Sequence, residues 1–177
     1  EAAVRTHCRG GSGRRLRVLE ICGGDGAFAE RLLLNLGDAC EQYTLFERNA
    51  KLTEDARRRL ASFPAVCVRQ QDCSAVGDEG LGWALHDGRV GALEERSSRV
   101  DVCISSGSVL CSQVGRPLDA ERVLESIADS LVDEGTLIAT GISSSFLHPR
   151  ILHRAGFTVV QGSHPKALTQ CAASPGG

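Results

Sequence analysis

Short apolar runs alternate along this chain with stretches in which apolar residues recur every three or four positions. The runs have the length and β-branched content of buried strands, and the stretches have the period of helices laid on a sheet. Val18-Leu19-Glu20-Ile21 predicts the first strand. After a glycine cluster, Ala29, Leu32, Leu33 and Leu36 share one helical face, and Gly37 is a natural stop. Tyr43 to Phe46 predicts the second strand. Asn49 then caps a helix whose Leu52, Ala56 and Leu60 face inward, until Pro64 turns the chain into a third strand, Ala65 to Val68.

The segment from Gly77 to Ser98 is rich in glycine and charge and reads as a loop with one short helix. Val100 to Ile104 predicts the fourth strand. The clearest helix opens at Pro117 and turns Ala120, Val123, Leu124, Ile127, Ala128 and Leu131 inward; Asp133-Glu134-Gly135 ends it before a fifth strand, Thr136 to Thr140. Pro149 suits the first turn of a short helix that Gly156 closes. Phe157 to Val160 and Ala167 to Cys171 then flank a His164-Pro165-Lys166 turn too short for a helical crossover, so this last pair is expected to be antiparallel. The alternation predicts an α/β fold: a Rossmann-like, mostly parallel sheet with helices on both faces.

With 177 residues, 42% hydrophobic and 24% charged, the chain suits a single domain over residues 17–177 behind a flexible segment, 1–16. The formal charge of -2 argues against a strongly electropositive nucleic-acid binder, and the arginines at 57–59 read as a solvated helix face. No apolar run approaches the ~20 residues that cross a bilayer. Eight cysteines without Cys-x-x-Cys spacing read as free thiols, with no metal site, in a reducing, cytoplasmic setting. The chain holds no methionine and begins at Glu1, which is expected of a processed chain or of part of a larger polypeptide or complex.

The stretch Val18 to Leu33 carries the chemistry. A strand that feeds a glycine-rich turn and then a helix presents bare backbone and a positive helix end to a ligand. Gly24 to Ala29 fits G-x-G-x-x-A, which alone also allows NAD. Three acids follow three successive strands. Glu20 precedes the turn, placed for a ligand carrying an ammonium and a sulfonium. Glu47, with Arg48 beside it, ends the second strand about 20 positions beyond the turn, where a carboxylate accepts ribose hydroxyls. Asp72 follows the third strand, within reach of an adenine amino group.

These segments, together with DVCISSGSVL, LVDEGTLIATG and AGFTVVQ, resemble the class I S-adenosylmethionine-dependent methyltransferases over roughly Arg17 to Cys171. The resemblance implies a seven-stranded sheet with an antiparallel last strand. It also implies methyl transfer from S-adenosylmethionine to an unidentified acceptor. The cofactor would lie on the turn of Cys22, Gly23, Gly24 and Gly26, with Glu47 on the ribose and Asp72 and the Cys73 backbone on the adenine. Ser105, Ser106 and Gly107 would lie where the methyl group meets its acceptor. Cys22 stands where the family pattern has its first glycine, and the turn survives a cysteine there if the backbone needs no positive φ. The fourth strand is followed by Ser-Ser-Gly-Ser rather than an Asn/Asp-Pro-Pro-aromatic stretch, which turns the expectation away from nucleobase-amino and glutamine targets.

Plainer roles compete for several residues. Asp25 reads as a helix cap, Asp101 as a solvated strand-edge residue, and Ser143 to Ser145 as loop residues. His148 is a candidate general base, with a capping or surface role as its alternative; His153 and His164 read as surface or turn residues, and His7 and His86 fall in unpatterned stretches. No catalytic residue is assigned. Two other functions remain open, a non-catalytic methyltransferase-like module of a larger protein and, behind it, an NAD-dependent oxidoreductase.

Overall fold

The computed structural model describes residues 15–73, 99–106, 117–140, 149–161 and 169–173. Its strands are β1 (Leu16–Ile21), β2 (Cys40–Glu47), β3 (Val66–Gln70), β4 (Val100–Ser106), β5 (Leu131–Thr140), β6 (Phe157–Gln161) and β7 (Thr169–Ala173). Helices α1 (Ala27–Leu36), α2 (Ala50–Arg59), α3 (Pro117–Ser130) and α4 (Pro149–Arg154) alternate with them. The ordered sheet begins one residue before the expected boundary, because Leu16 is buried and pairs with Cys40.

Five strands run parallel in the order β3-β2-β1-β4-β5. Beyond β5 lies β7, which pairs antiparallel with β5 on one side and with β6 on the other. Parallel strands are joined by crossovers, and helices in those crossovers cover the sheet. Alternation along the strands makes two apolar cores. Val18, Tyr43, Leu45, Val102 and Ile104 meet Ala29, Leu32, Leu33 and Leu36 of α1 and Ala56 of α2. On the opposite face Leu19, Ile21, Phe46 and Cys103 meet Val123, Leu124 and Ile127 of α3 and Leu152 of α4.

The structure corrects several details of the sequence reading. Leu131 is buried, but as the first residue of β5 rather than the last of the helix. The Asp133-Glu134-Gly135 segment lies within β5, where the register with β4 shifts between the pairs Val100–Leu131 and Val102–Thr136 and Glu134 takes φ 66. On α2, Leu52 is exposed and Thr53 is buried instead, its hydroxyl donating to the carbonyls of Glu47 and Asn49. That local bond secures a polar side chain on the inward face, and Asn49 caps the helix by accepting from the amides of Lys51 and Leu52. Asp101 is not a solvated edge residue: it is buried and accepts a 2.8 Å bond from the Arg17 amide.

The chain proceeds outward from β1 through β2 to β3, then returns to place β4 on the other side of β1. The strand order therefore reverses between β1 and β4, and the crevice outside their carboxyl ends is where open α/β sheets take ligands.

Candidate cofactor crevice

The turn after β1 occupies that switch point. Ile21 of β1 pairs with Ser105 of β4, so the strand ends lie side by side. Cys22 follows with φ 56, a left-handed backbone that favours glycine. The cysteine at the family's glycine position thus does sit where positive φ is required, which costs roughly 1–2 kcal/mol. Gly23 donates to the Phe46 carbonyl, and a β-carbon there would lie 2.5 Å from Leu45 Cγ, so only a bare backbone packs this close to β2. Gly26, at φ 77, donates back to the Gly23 carbonyl and opens α1. Among the described residues nothing lies within 4 Å of the point where a β-carbon on Gly24 would stand.

Replacing Cys22 by glycine is expected to relieve the left-handed strain and raise stability by up to about 1 kcal/mol, partly offset by glycine's greater freedom when unfolded. Thermal denaturation tests this. A gain for Cys22→Gly with none for Cys22→Ala, which keeps the β-carbon, identifies the backbone as the cause.

Glu47 ends β2 with 6% exposure and is fixed from both sides. Its Oε2 accepts from the Gly24 amide at 3.0 Å and its Oε1 from the Asn49 amide at 2.8 Å. Each oxygen keeps a further lone pair, so the carboxylate remains able to accept a pair of vicinal hydroxyls. Asp72 is half-buried beside Cys73, which is itself 1% exposed. The neighbouring Cys22 thiol, together with burial, holds Cys73 protonated well above the ordinary thiol range. Residues that follow β1, β2 and β3 therefore converge on one crevice.

Glu20 does not join them. It is fully buried, and its Oε2 accepts a 2.7 Å bond from the Tyr43 hydroxyl on the face covered by α1 and α2. Strand alternation is the reason: Glu20 follows Leu19 and precedes Ile21, both of which face the other core. Its Oε2 is thereby held by an internal donor. Arg48 is exposed, and its carbonyl accepts from the Gln70 side chain. Ser105 is buried and its hydroxyl finds no hydrogen-bond partner among the described residues, while the Ser106 backbone pairs with Thr140 of β5. Gly107, Ser143 to Ser145, His148, His7, His86 and His164 lie outside the described residues; His153 is exposed on α4. Among the described residues no His, Cys, Asp or Glu cluster is suited to a metal ion, and no helix is long and apolar enough to cross a membrane.

Two side chains around the β1 turn escaped the sequence reading. Tyr43 is the only tyrosine of the chain, and it pairs with Val18, two residues before Glu20 on the same face, a diagonal cross-strand neighbour. Burial and the adjacent Glu20 push its hydroxyl well above the ordinary 10.0. The folded state thus keeps a proton that the unfolded chain releases, so this contribution is intact below pH 10 and is lost as the pH rises further. Between pH 10 and 11, a Tyr43→Phe variant should lose about 1 kcal/mol less stability than the parent in urea titrations. Arg59 is the second. Asp25 accepts from the Ala27 amide at the start of α1, and Arg59 reaches from α2 to the Asp25 carbonyl, the Asp25 carboxylate and Glu30. One member of the basic run thereby clasps the outer side of the turn.

No family model matches the chain, and no curated protein matches it in sequence. Solved structures do match it. The CurJ carbon methyltransferase aligns over 98% of this chain and 52% of its own, with a TM-score of 0.68 at 14% identity. The N-methyltransferase NodS from Bradyrhizobium japonicum WM9, in complex with S-adenosylhomocysteine, aligns over 97% of this chain and 84% of its own, with a TM-score of 0.63 at 14% identity. CalS10, an amino pentose methyltransferase from Micromonospora echinaspora with bound S-adenosylmethionine, aligns over 98% and 89%, with a TM-score of 0.67 at 11% identity. The chain has the S-adenosylmethionine-dependent methyltransferase fold. It spans about half the length of the CurJ chain that it matches. Within this methyltransferase fold, the turn from Cys22 to Gly26 and the carboxylate of Glu47 stand at the switch point between β1 and β4 and the strand end next to it.

Proposed function

We propose that the chain is a methyltransferase domain, residues 17–177, that binds S-adenosylmethionine and passes its methyl group to an acceptor held beyond β4. In this reading its full sheet is seven-stranded with an antiparallel last strand, and the domain acts in the cytoplasm, alone or within a larger polypeptide. The observation that carries the proposal is the Glu47 carboxylate, buried, tied to the glycine turn through Gly24, and still holding a free lone pair on each oxygen.

The cofactor supplies a methyl group on a positively charged sulfur, ready for in-line displacement by an electron pair. Glu47 accepts the ribose hydroxyls. Asp72 and the Cys73 backbone hold the adenine, and Gly24, with no described residue within 4 Å of where a β-carbon would stand, admits the amino-acid portion against bare backbone. Alignment of two reactants can account for ~7–11 kcal/mol of barrier in well-oriented systems, so a domain of this kind needs no nucleophile of its own. The acceptor is unidentified, and the net charge of -2 argues against nucleic acid.

S-Adenosylhomocysteine at about a hundredfold excess over its Kd should stabilise the domain by about 2.7 kcal/mol. A scanning thermal melt checks this, with NADH as the comparison ligand. An unchanged midpoint at millimolar S-adenosylhomocysteine overturns the proposal, and a shift with NADH alone revives an oxidoreductase. One observation favours a second reading: the strained cysteine at the glycine position, which suits a non-catalytic module that has lost the ligand's demands on the turn.

A further inference from the structure

We propose that Thr53 is a positioning residue: its buried hydroxyl fixes the end of β2 from which Glu47 presents its carboxylate to the cofactor's ribose. The ligand in this proposal rests on the methyltransferase reading, whereas the tie between Thr53 and Glu47 stands on geometry alone.

Thr53 is fully buried on the inward face of α2 that Ala56 and Leu60 continue. Valine would fill that place with nearly the same shape and no polar group to bury, so what threonine adds is its hydroxyl. That hydroxyl donates to two carbonyls, Asn49 at 2.9 Å and Glu47 at 3.1 Å. The first contact is the ordinary one of a helical threonine with the preceding turn, and the Asn49 carbonyl already accepts from the Thr53 amide. The second crosses from α2 to the last residue of β2. There the Glu47 carbonyl also accepts from the Gln71 amide at 2.9 Å, so both of its lone pairs are used.

Glu47 is therefore held at both ends. Thr53 and Gln71 fix its main chain, and the Gly24 and Asn49 amides orient its carboxylate. Asn49 belongs to both sets, since its amide meets the carboxylate and its carbonyl meets Thr53. Loss of the hydroxyl frees residues 47–49 from α2 and lets the carboxylate swing, whereas a binding group works only when held within about 0.5 Å of its productive place. The rival account is a seat for α2 as a whole. Ala56, on the same face, packs against the turn, where a β-carbon on Gly26 would lie 3.3 Å from the Ala56 Cα.

Calorimetry with S-adenosylhomocysteine, well below the melting range, separates the two accounts. Affinity should fall about threefold to tenfold in Thr53→Val, the span of one net hydrogen bond, and equally in Thr53→Ala as a second variant without the hydroxyl. Thr53→Ser keeps the hydroxyl and should stay within about twofold of the parent. In a Glu47→Ala background, Thr53→Val should change affinity by less than about twofold, because no carboxylate remains to position. Unchanged affinity in Thr53→Val, a serine variant as weak as valine, or an equal loss in both backgrounds each overturns the proposal, the last by assigning the effect to the seating of α2. Amide exchange reads the same tie without ligand. Thr53→Val should speed exchange of the Gly24 amide, which belongs to a different element and meets the Glu47 carboxylate, by about threefold to tenfold, with the Leu19 amide of β1 unchanged. Gly24 exchange no faster than in the parent overturns the tie. A parent chain that binds no S-adenosylhomocysteine overturns the methyltransferase reading, and Gly24 exchange then decides whether Thr53 holds Glu47.

Discussion

Replacing Glu47 by alanine is expected to weaken S-adenosylhomocysteine binding by 10- to 100-fold, about 1–3 kcal/mol, and to destabilise the unliganded domain by about 2 kcal/mol. Both effects come from the same carboxylate. Its oxygens accept from the amides of Gly24 and Asn49, so alanine leaves the Gly24 amide without its acceptor in a half-buried turn, while the exposed Asn49 amide turns to water. The loss in affinity is separate, because it comes from the hydroxyl acceptors that the ligand meets. Glu47→Gln divides the two: its single carbonyl oxygen can serve one amide, and its NH2 group faces the other donor, so stability and affinity should fall between parent and alanine. Calorimetric titration well below the melting range measures affinity, and denaturation without ligand measures stability. If alanine lowers stability yet leaves affinity unchanged, the ribose lies elsewhere.

Much of this crevice can be read from the chain because strand ends are written in local pattern. Apolar runs followed by acids or glycines place Gly23, Gly24, Glu47 and Asp72 at the carboxyl edge of successive strands, and the fold then converges them without further information. What could not be read depends on tertiary choices. Glu20 is polar and two positions before Cys22, yet strand parity sends it to the helix-covered face, and only the pairing of β1 with β2 reveals Tyr43 as its donor. The same holds for Thr53, whose burial on α2 depends on two carbonyls that accept its hydroxyl, and for Leu131, where α3 gives way directly to β5. The sign of φ at Cys22 is a further case. Glycine in the family's pattern signals the need for positive φ, but a cysteine there conceals it until the backbone is seen. Glu20 and Thr53 each take a partner from a different element, β2, which the local pattern around them does not record.

The largest loss of stability is expected not at the crevice but at the opposite end of the same strands, at Asp101. This residue is 3% exposed on β4, accepts the Arg17 amide at 2.8 Å and lies 3.9 Å from the Arg17 guanidinium. The first pair of the β1–β4 ladder is Val18 with Val102, so the Arg17 amide falls at the ladder's end, where a carboxylate takes the place of a strand carbonyl. Removing one partner of a buried ion pair is commonly worth 3–5 kcal/mol, since the other charge stays behind in poor solvent. Asp101→Ala should therefore lower stability by about 3 kcal/mol, or roughly 6–12 °C in the thermal midpoint of a chain this size. Asp101→Asn keeps an acceptor for the amide and gives up only the charge, so it should cost about half as much. The exposed pair of Arg99 and Asp133, 3.7 Å apart, supplies the contrast: Asp133→Ala should change stability by less than about 1 kcal/mol, because water screens both charges. Equal losses for Asp101→Ala and Asp133→Ala in urea titration would show that burial does not set the strength of the Arg17 contact. A larger loss at Asp101, with S-adenosylhomocysteine affinity retained below the melting range, places that residue in the scaffold that brings the carboxyl ends of β1 and β4 together rather than in the crevice itself.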